Sequence, residues 1–128
     1  MFKYNMDIKT RDELIFGDYD PNKYQGGCRA FDDMSVEVLE KLVEMKFAYK
    51  EQRFSCCSPD ISEFIEFMKE NDGYVVEGYV FANGRSNYGV YIDSIRKVTP
   101  ITNLDDAKTF SRFHYADDYD VTGFAMWY

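Results

Sequence analysis

The chain has 128 residues, of which 45% are hydrophobic and 18% aromatic, with a formal net charge of −8 and a pI near 4.6. That length and apolar fraction suffice for one domain with a core of its own, and the acidity excludes nucleic-acid binding through a basic surface. Three cysteines, two of them adjacent, make no disulfide framework. No signal peptide or membrane-length apolar run is read, so the expected setting is cytoplasmic and reducing.

Phe2, Tyr4, Met6 and Ile8 alternate with Lys3, Asn5 and Asp7, which predicts a strand with one buried face. Thr10-Arg11-Asp12-Glu13 matches a capping box, followed by one or two helical turns through Leu14, Ile15 and Phe16 before Gly17. Residues 18–33 lack periodicity and contain Pro21, Gly26 and Gly27, so they read as a long loop. Ser35 is placed to cap a helix whose apolar positions Val36, Leu39, Leu42, Val43 and Phe47 share a face, with Glu37, Glu40 and Glu44 on the other side. Ser58-Pro59 reads as the start of a second helix with Ile61, Phe64, Ile65 and Met68 buried, ending at Asn71-Asp72-Gly73.

The strongest pattern lies at residues 73–98, where two β-rich runs flank Asn83-Gly84 and predict a hairpin. Its register depends on loop length. A two- or four-residue loop sets Glu77 and Tyr79 beside Tyr88 and Val90, while an odd-length loop joins Val76 and Val80 to Val90 and Ile92. The odd loop is preferred, although Asn-Gly argues for the shorter turn, because it sends Glu77 outward beside Tyr91 and keeps a carboxylate out of the core. Pro100 ends the second arm, and Thr102 or Asn103 caps a third helix carrying Leu104, Ala107, Phe110 and Phe113. An acidic loop from Asp117 then leads to a last strand, Phe124-Ala125-Met126-Trp127-Tyr128, whose apolar end is expected to be docked. Residues 1–128 are thus expected to form a single α+β domain: a mixed or antiparallel sheet of three to five strands, with the hairpin at its centre, backed by two to three helices.

The chemistry is sparse, and no catalytic residue, metal site or cofactor is assigned. Cys56 and Cys57 precede the predicted second helix, where orphan N–H groups stabilise a thiolate, and so are candidate reactive thiols. A catalytic cysteine usually has a histidine base, and His114 is the single histidine, so a packing role outweighs the nucleophile. Gly26-Gly27-Cys28-Arg29 lacks the Lys-Ser/Thr pair of a phosphate loop and reads as a plain turn. Asp18, Asp20 and Asn22 begin like a calcium loop, but Lys23 and Arg29 stand where Gly and Glu are required. Asp117, Asp118 and Asp120 read as a solvated acidic loop, and zinc is disfavoured with three cysteines and one histidine to gather.

What remains is collective. Glu37, Glu40 and Glu44 on one helix, and Asp60, Glu63, Glu66 and Glu70 on the next, predict an acidic surface over both. Tyr19, Tyr24, Tyr49, Tyr88, Tyr91, Tyr115 and Tyr119 lie among charged residues and would add recognition area. The first expectation is a non-enzymatic interaction module, with Glu37, Glu40, Glu44, Glu63, Glu66 and Glu70 meeting a basic or nucleic-acid-binding protein. Size, acidity and the lack of a catalytic signature are the general profile of small phage or mobile-element inhibitors that mimic nucleic acid before a host defence protein. The alternatives are a small-ligand-binding or thiol-dependent enzyme using the cysteines near the long loop, and a subunit of a larger assembly with an exposed sheet edge or apolar patch.

Overall fold

The computed structural model describes residues 2–82, 84, 88–98, 118–120 and 124–127, the stretch 118–120 by its backbone. Three helices, α1 (Ile8–Phe16), α2 (Val36–Glu44) and α3 (Ile61–Glu70), accompany five strands, β1 (Cys28–Met34), β2 (Tyr74–Phe81), β3 (Val90–Lys97), β4 (Asp118–Asp120) and β5 (Phe124–Met126). The strands form one antiparallel sheet in the order β1-β2-β3-β5-β4. The expected α+β architecture is therefore present, with the hairpin at its centre. The expected helix after Pro100 lies outside the described residues.

The helices α2 and α3 bury one stripe each. Leu39 and Leu42 of α2, and Ile61, Phe64 and Met68 of α3, join Val76, Val80, Val90, Ile92 and Ile95 from the sheet in one core. Phe47 follows α2 and is buried there too. Trp127 closes the core edge-to-face against Phe64, with ring centroids 5.5 Å apart, and its backbone N–H donates to Asp93 O at 2.8 Å. Ser35 caps α2 by accepting from Val38 N, as its position predicts.

The hairpin register is the odd-loop one near its tip and shifts further back. Val80 pairs with Val90, Tyr79 with Tyr91 and Gly78 with Ile92; then Glu77 pairs with Ser94 and Val76 with Ile95. Asp93 is the extra residue of a β-bulge, which restores Ile95 to the core face after Val90 and Ile92. Glu77 does point outward, as expected, but opposite Ser94 rather than Tyr91. Gly78 makes the bulge possible: a Cβ there would sit 1.8 Å from Tyr91 O.

Five expectations are corrected. Residues 2–7 form no strand: Asn5 N donates to Lys46 O at 2.9 Å and Asn5 Nδ2 to Met45 O at 3.1 Å, so the segment is tied to the end of α2. Phe2 and Met6 are exposed, against the alternation. The cap of α1 is Asp7, which accepts from Thr10 N and from Thr10 Oγ1, three residues before the predicted Thr10. Residues 18–33 are not one loop, because Pro21–Lys23 form a 3-10 turn and β1 begins at Cys28. That strand hides from periodicity because its inward residues, Phe31 and Met34, are three apart, across a register shift where Asp33 has φ 52°. Finally, α3 is capped by Asp60 in a reciprocal box with Glu63, not by Ser58, and residues 118–120 pair with β5 rather than looping freely.

Helix α1 is fastened by a buried ionic centre. Arg11 and Asp12 are both fully buried, with Nε to Oδ1 at 3.0 Å. Arg11 Nη2 also donates to Tyr24 Oη at 2.8 Å and Phe81 O at 2.9 Å, while its guanidinium lies 4.6 Å from the Tyr88 ring centroid. Tyr24 in turn donates to Asp12 Oδ2, and Tyr88 Oη donates to Asn5 O at 3.0 Å. Burial, then the bond to Asp12, raises the Tyr24 hydroxyl pKa and keeps it a donor.

Two consequences are measurable in urea. Asp12→Ala leaves a buried guanidinium without its counter-charge and should cost about 3–5 kcal/mol, whereas the double variant Arg11→Met/Asp12→Leu should recover part of that loss. Gly78→Ala should be destabilising by more than ~3 kcal/mol, because the clash is with backbone and only unmaking the bulge relieves it; a midpoint near that of the parent would show that the bulge does not need glycine.

Candidate functional site

The outer sides of α2 and α3 carry the carboxylates that the sequence brings forward. Each helix contributes three glutamates and one lysine, and their apolar stripes face the sheet. Lys69 Nζ lies 3.2 Å from Glu40 Oε2, so the two polar stripes meet along the helix pair. That contact also removes Glu40 from the unpaired charge. Glu63 and Asp60 are likewise engaged: Arg53 Nη2 lies 3.4 Å from Glu63 Oε1 and 3.8 Å from Asp60 Oδ2, while Glu63 closes the capping box. Glu37, Glu44, Glu66 and Glu70 remain exposed. Among the described residues none of these four is in an ion pair, and they are the part of the expected acidic surface that stays unpaired.

The tyrosines do not gather on it. Tyr88 is buried, Tyr24 is half-buried in the Arg11 centre, and Tyr91 stands on the opposite side of the sheet against Phe81. Tyr49 packs with Phe2, and Phe2 with Tyr4. Burial, then the neighbouring Tyr91, Tyr49 and Tyr88, push the Tyr4 hydroxyl up to about 12. Tyr19 is exposed; Tyr115 and the side chain of Tyr119 lie outside the described residues, as does His114.

Cys56 and Cys57 do not sit at a helix N-terminus. They occupy an exposed turn ahead of Asp60, and the Asp60 carboxylate already accepts from Glu63 N at the start of α3. The dipole argument for a stabilised thiolate therefore lapses. Their sulfur atoms are in contact at 3.3 Å. Cys28 is 28 residues and a separate strand away, in the turn where Gln25 and Cys28 pair across Gly26 and Gly27, whose φ values are 63° and 85°. The plain-turn reading of that glycine pair is what the backbone adopts. Asp18 holds Arg29 Nη2 at 2.9 Å and Lys23 Nζ at 3.0 Å, and these bonds, Arg29 first, lower its pKa. Asp20 accepts from Asn22 N. Among the described residues no group of three or more His, Cys, Asp or Glu is placed to hold a metal ion.

Two features escape sequence reasoning. The first is a depression of about 460 Å³ lined by Lys23, Gln25, Cys28, Arg29, Ala30 and Tyr79. It exists because residues assigned to a loop form the edge strand β1, which brings Cys28 beside Tyr79 of β2; Arg29 is fixed there by Asp18 and by the Phe16 ring, 3.6 Å from its guanidinium. The second is a smaller depression of about 150 Å³ on the sheet face away from α2 and α3, bordered by Asp32, Glu77, Asp93 and Ser94. Burial, then the charge of Asp32, raises the Glu77 pKa, even with Arg96 Nε 3.0 Å from Oε1. Burial raises Asp93, partly offset by the Ser94 hydroxyl and its own backbone N–H. Outward residues of a bulged hairpin would be the sequence signal for this group, but the bulge itself leaves no mark that pattern reading detects. Arg96 also pairs with Asp33, tying the edge strand across β2.

Comparison with protein-family models, curated proteins and solved structures finds no match to this chain. Among the described residues no helix is long and apolar enough to cross a membrane. The β1 edge is blunted by its register shift and by Arg29, Asp32 and Asp33, devices that discourage strand addition.

Asp93 gives a signed pH effect. Its folded-state pKa lies above the unfolded value, so the native state holds the proton more tightly and loses stability as pH rises from the ordinary carboxylate range through the folded value. Asp93→Asn should abolish that loss. Urea midpoints of the parent and the variant, compared from pH 4 upward, should diverge in favour of Asn; parallel curves would rule out the burial effect.

Proposed function

We propose that this protein is a non-enzymatic interaction module whose acidic α2–α3 face docks on a basic protein surface. The observation that carries the reading is the set of four exposed glutamates, Glu37, Glu44, Glu66 and Glu70, left without ion pairs among the described residues while Glu40 and Glu63 are neutralised. Two helices packed on the core present these charges, so only the glutamate side chains need to be ordered on binding. Charge of this kind accelerates encounter with a basic partner and discriminates against acidic ones. The most concrete version is a nucleic-acid mimic, of the sort small phage and mobile-element proteins supply. It would occupy the phosphate-binding cleft of a host nucleic-acid-binding defence protein.

A second reading draws on the depression at Lys23, Cys28, Arg29 and Tyr79. Its mixed wall, with two cations, a thiol and an aromatic ring, suits a small ligand. Asp18 already compensates both cations, and this weakens the case for an anionic one.

The two readings separate in one experiment. Immobilised protein exposed to host-cell lysate at low salt should retain a nucleic-acid-binding protein that a salt step releases, and Glu37→Gln/Glu44→Gln/Glu66→Gln/Glu70→Gln should retain at least tenfold less of it. Equal capture by the variant would remove the acidic-face reading. Loss of capture on blocking Cys28 instead would move the site to the depression.

A further inference from the structure

We propose that Cys56 and Cys57 form a reversible oxidation site, closing as a disulfide between neighbouring residues. Successive side chains in an extended chain point to opposite sides, so adjacent cysteines do not ordinarily meet. Here the turn before α3 sets the two sulfur atoms 3.3 Å apart, and both residues are exposed to solvent and its oxidants. A disulfide needs about 2.05 Å between sulfurs, so the pair must close by roughly another ångström.

The turn is clamped on both sides of the pair. The buried Ser58 accepts from Ser55 N at 3.0 Å through Oγ and donates from Oγ to Ser55 O at 3.1 Å. Arg53 Nη1 donates to Ser58 O at 2.5 Å. These bonds fix Ser55 and Ser58 and leave Cys56 and Cys57 projecting from the loop between them. Neighbouring Cα atoms are about 3.8 Å apart, below the usual disulfide span of about 4.4–6.8 Å. The closed bond is therefore strained, and strained, exposed disulfides are the readily reduced ones. This places the pair among labile, regulatory thiols rather than structural bridges.

With a disulfide oxidant such as oxidised glutathione, the step balances as two exchanges. One cysteine thiolate attacks the oxidant, forming a mixed disulfide and releasing one glutathione thiolate. The neighbouring thiolate then attacks the protein sulfur of that mixed disulfide, making the Cys56–Cys57 bond and expelling the second glutathione. The protein gives up two protons and two electrons, and the oxidant takes the electrons. The proximity of the second sulfur favours the internal step over accumulation of the adduct.

The test is alkylation of the unfolded chain after equilibration in glutathione redox buffers, read by intact mass. Reduced protein should take up three alkyl groups, one for each cysteine of the sequence. Oxidised protein should take up one, at Cys28, remain monomeric on a non-reducing gel, and regain all three after reduction. Cys56→Ser and Cys57→Ser should each trap a glutathione adduct instead. Persistent adducts on the parent protein, intermolecular dimers, or uptake of three groups at every redox ratio would each overturn the proposal.

Discussion

A guanidinium withdrawn from water must be matched on several sides at once, and Arg11 thereby dictates where three separate parts of the chain can lie. Its partners are the next residue, Asp12; Tyr24, beyond the first helix; and Phe81 O and the Tyr88 ring, on either side of the hairpin tip. Desolvating two charges costs several kcal/mol per ion before any attraction is counted. The centre is therefore a constraint more than a source of stability, and it ties α1 and Tyr24 to the hairpin. That arrangement fixes the segment leading into β1, and with it the depression beside Cys28.

The second constraint is the bulge at Asp93. Without it, a hairpin in the odd-loop register would bury Ser94 where Ile95 now sits, because side chains alternate strictly. The inserted residue lets Val90, Ile92 and Ile95 all reach the core formed with α2 and α3. Asp93 and Glu77 lie on the other face, half-buried near Asp32, where their charged forms are disfavoured. That outer face therefore carries electrostatic tension. Arg96 relieves part of it by reaching both Glu77 and Asp33.

These constraints explain which parts of the molecule were legible in the sequence. The apolar stripes of α2 and α3, the hairpin and the last strand follow from periodicity, because each buries a regular row of apolar side chains. The first helix cap, strand β1 and the cap of α3 do not follow. Asp7 and Asp60 each have a competing Ser or Thr nearby in a plausible capping position, and only Asp60 has the answering Glu63. In β1, the interruption at Asp33 erases the alternation that would have betrayed a strand. Arg11 and Asp12 are the clearest case: charged residues read as solvent-facing by default, and nothing local distinguishes a pair that will be buried.

The same reasoning limits what a count of charges says about a surface. Seven carboxylates over two helices look like one acidic face, but Lys69 and Arg53 each lie where the fold neutralises a glutamate. Both contacts also serve local structure, one linking α2 to α3 and the other bracing the turn that carries Cys56 and Cys57 against the capped start of α3. The carboxylates nearest the helix junction and the α3 cap are therefore committed to holding the helices, while among the described residues Glu37, Glu44, Glu66 and Glu70 make no such contact. Four carboxylates without an ion pair among the described residues are a sparser pattern than the sequence implies. Discrimination by such a surface would come from their spacing, which the helix pair sets, more than from the net charge of the chain.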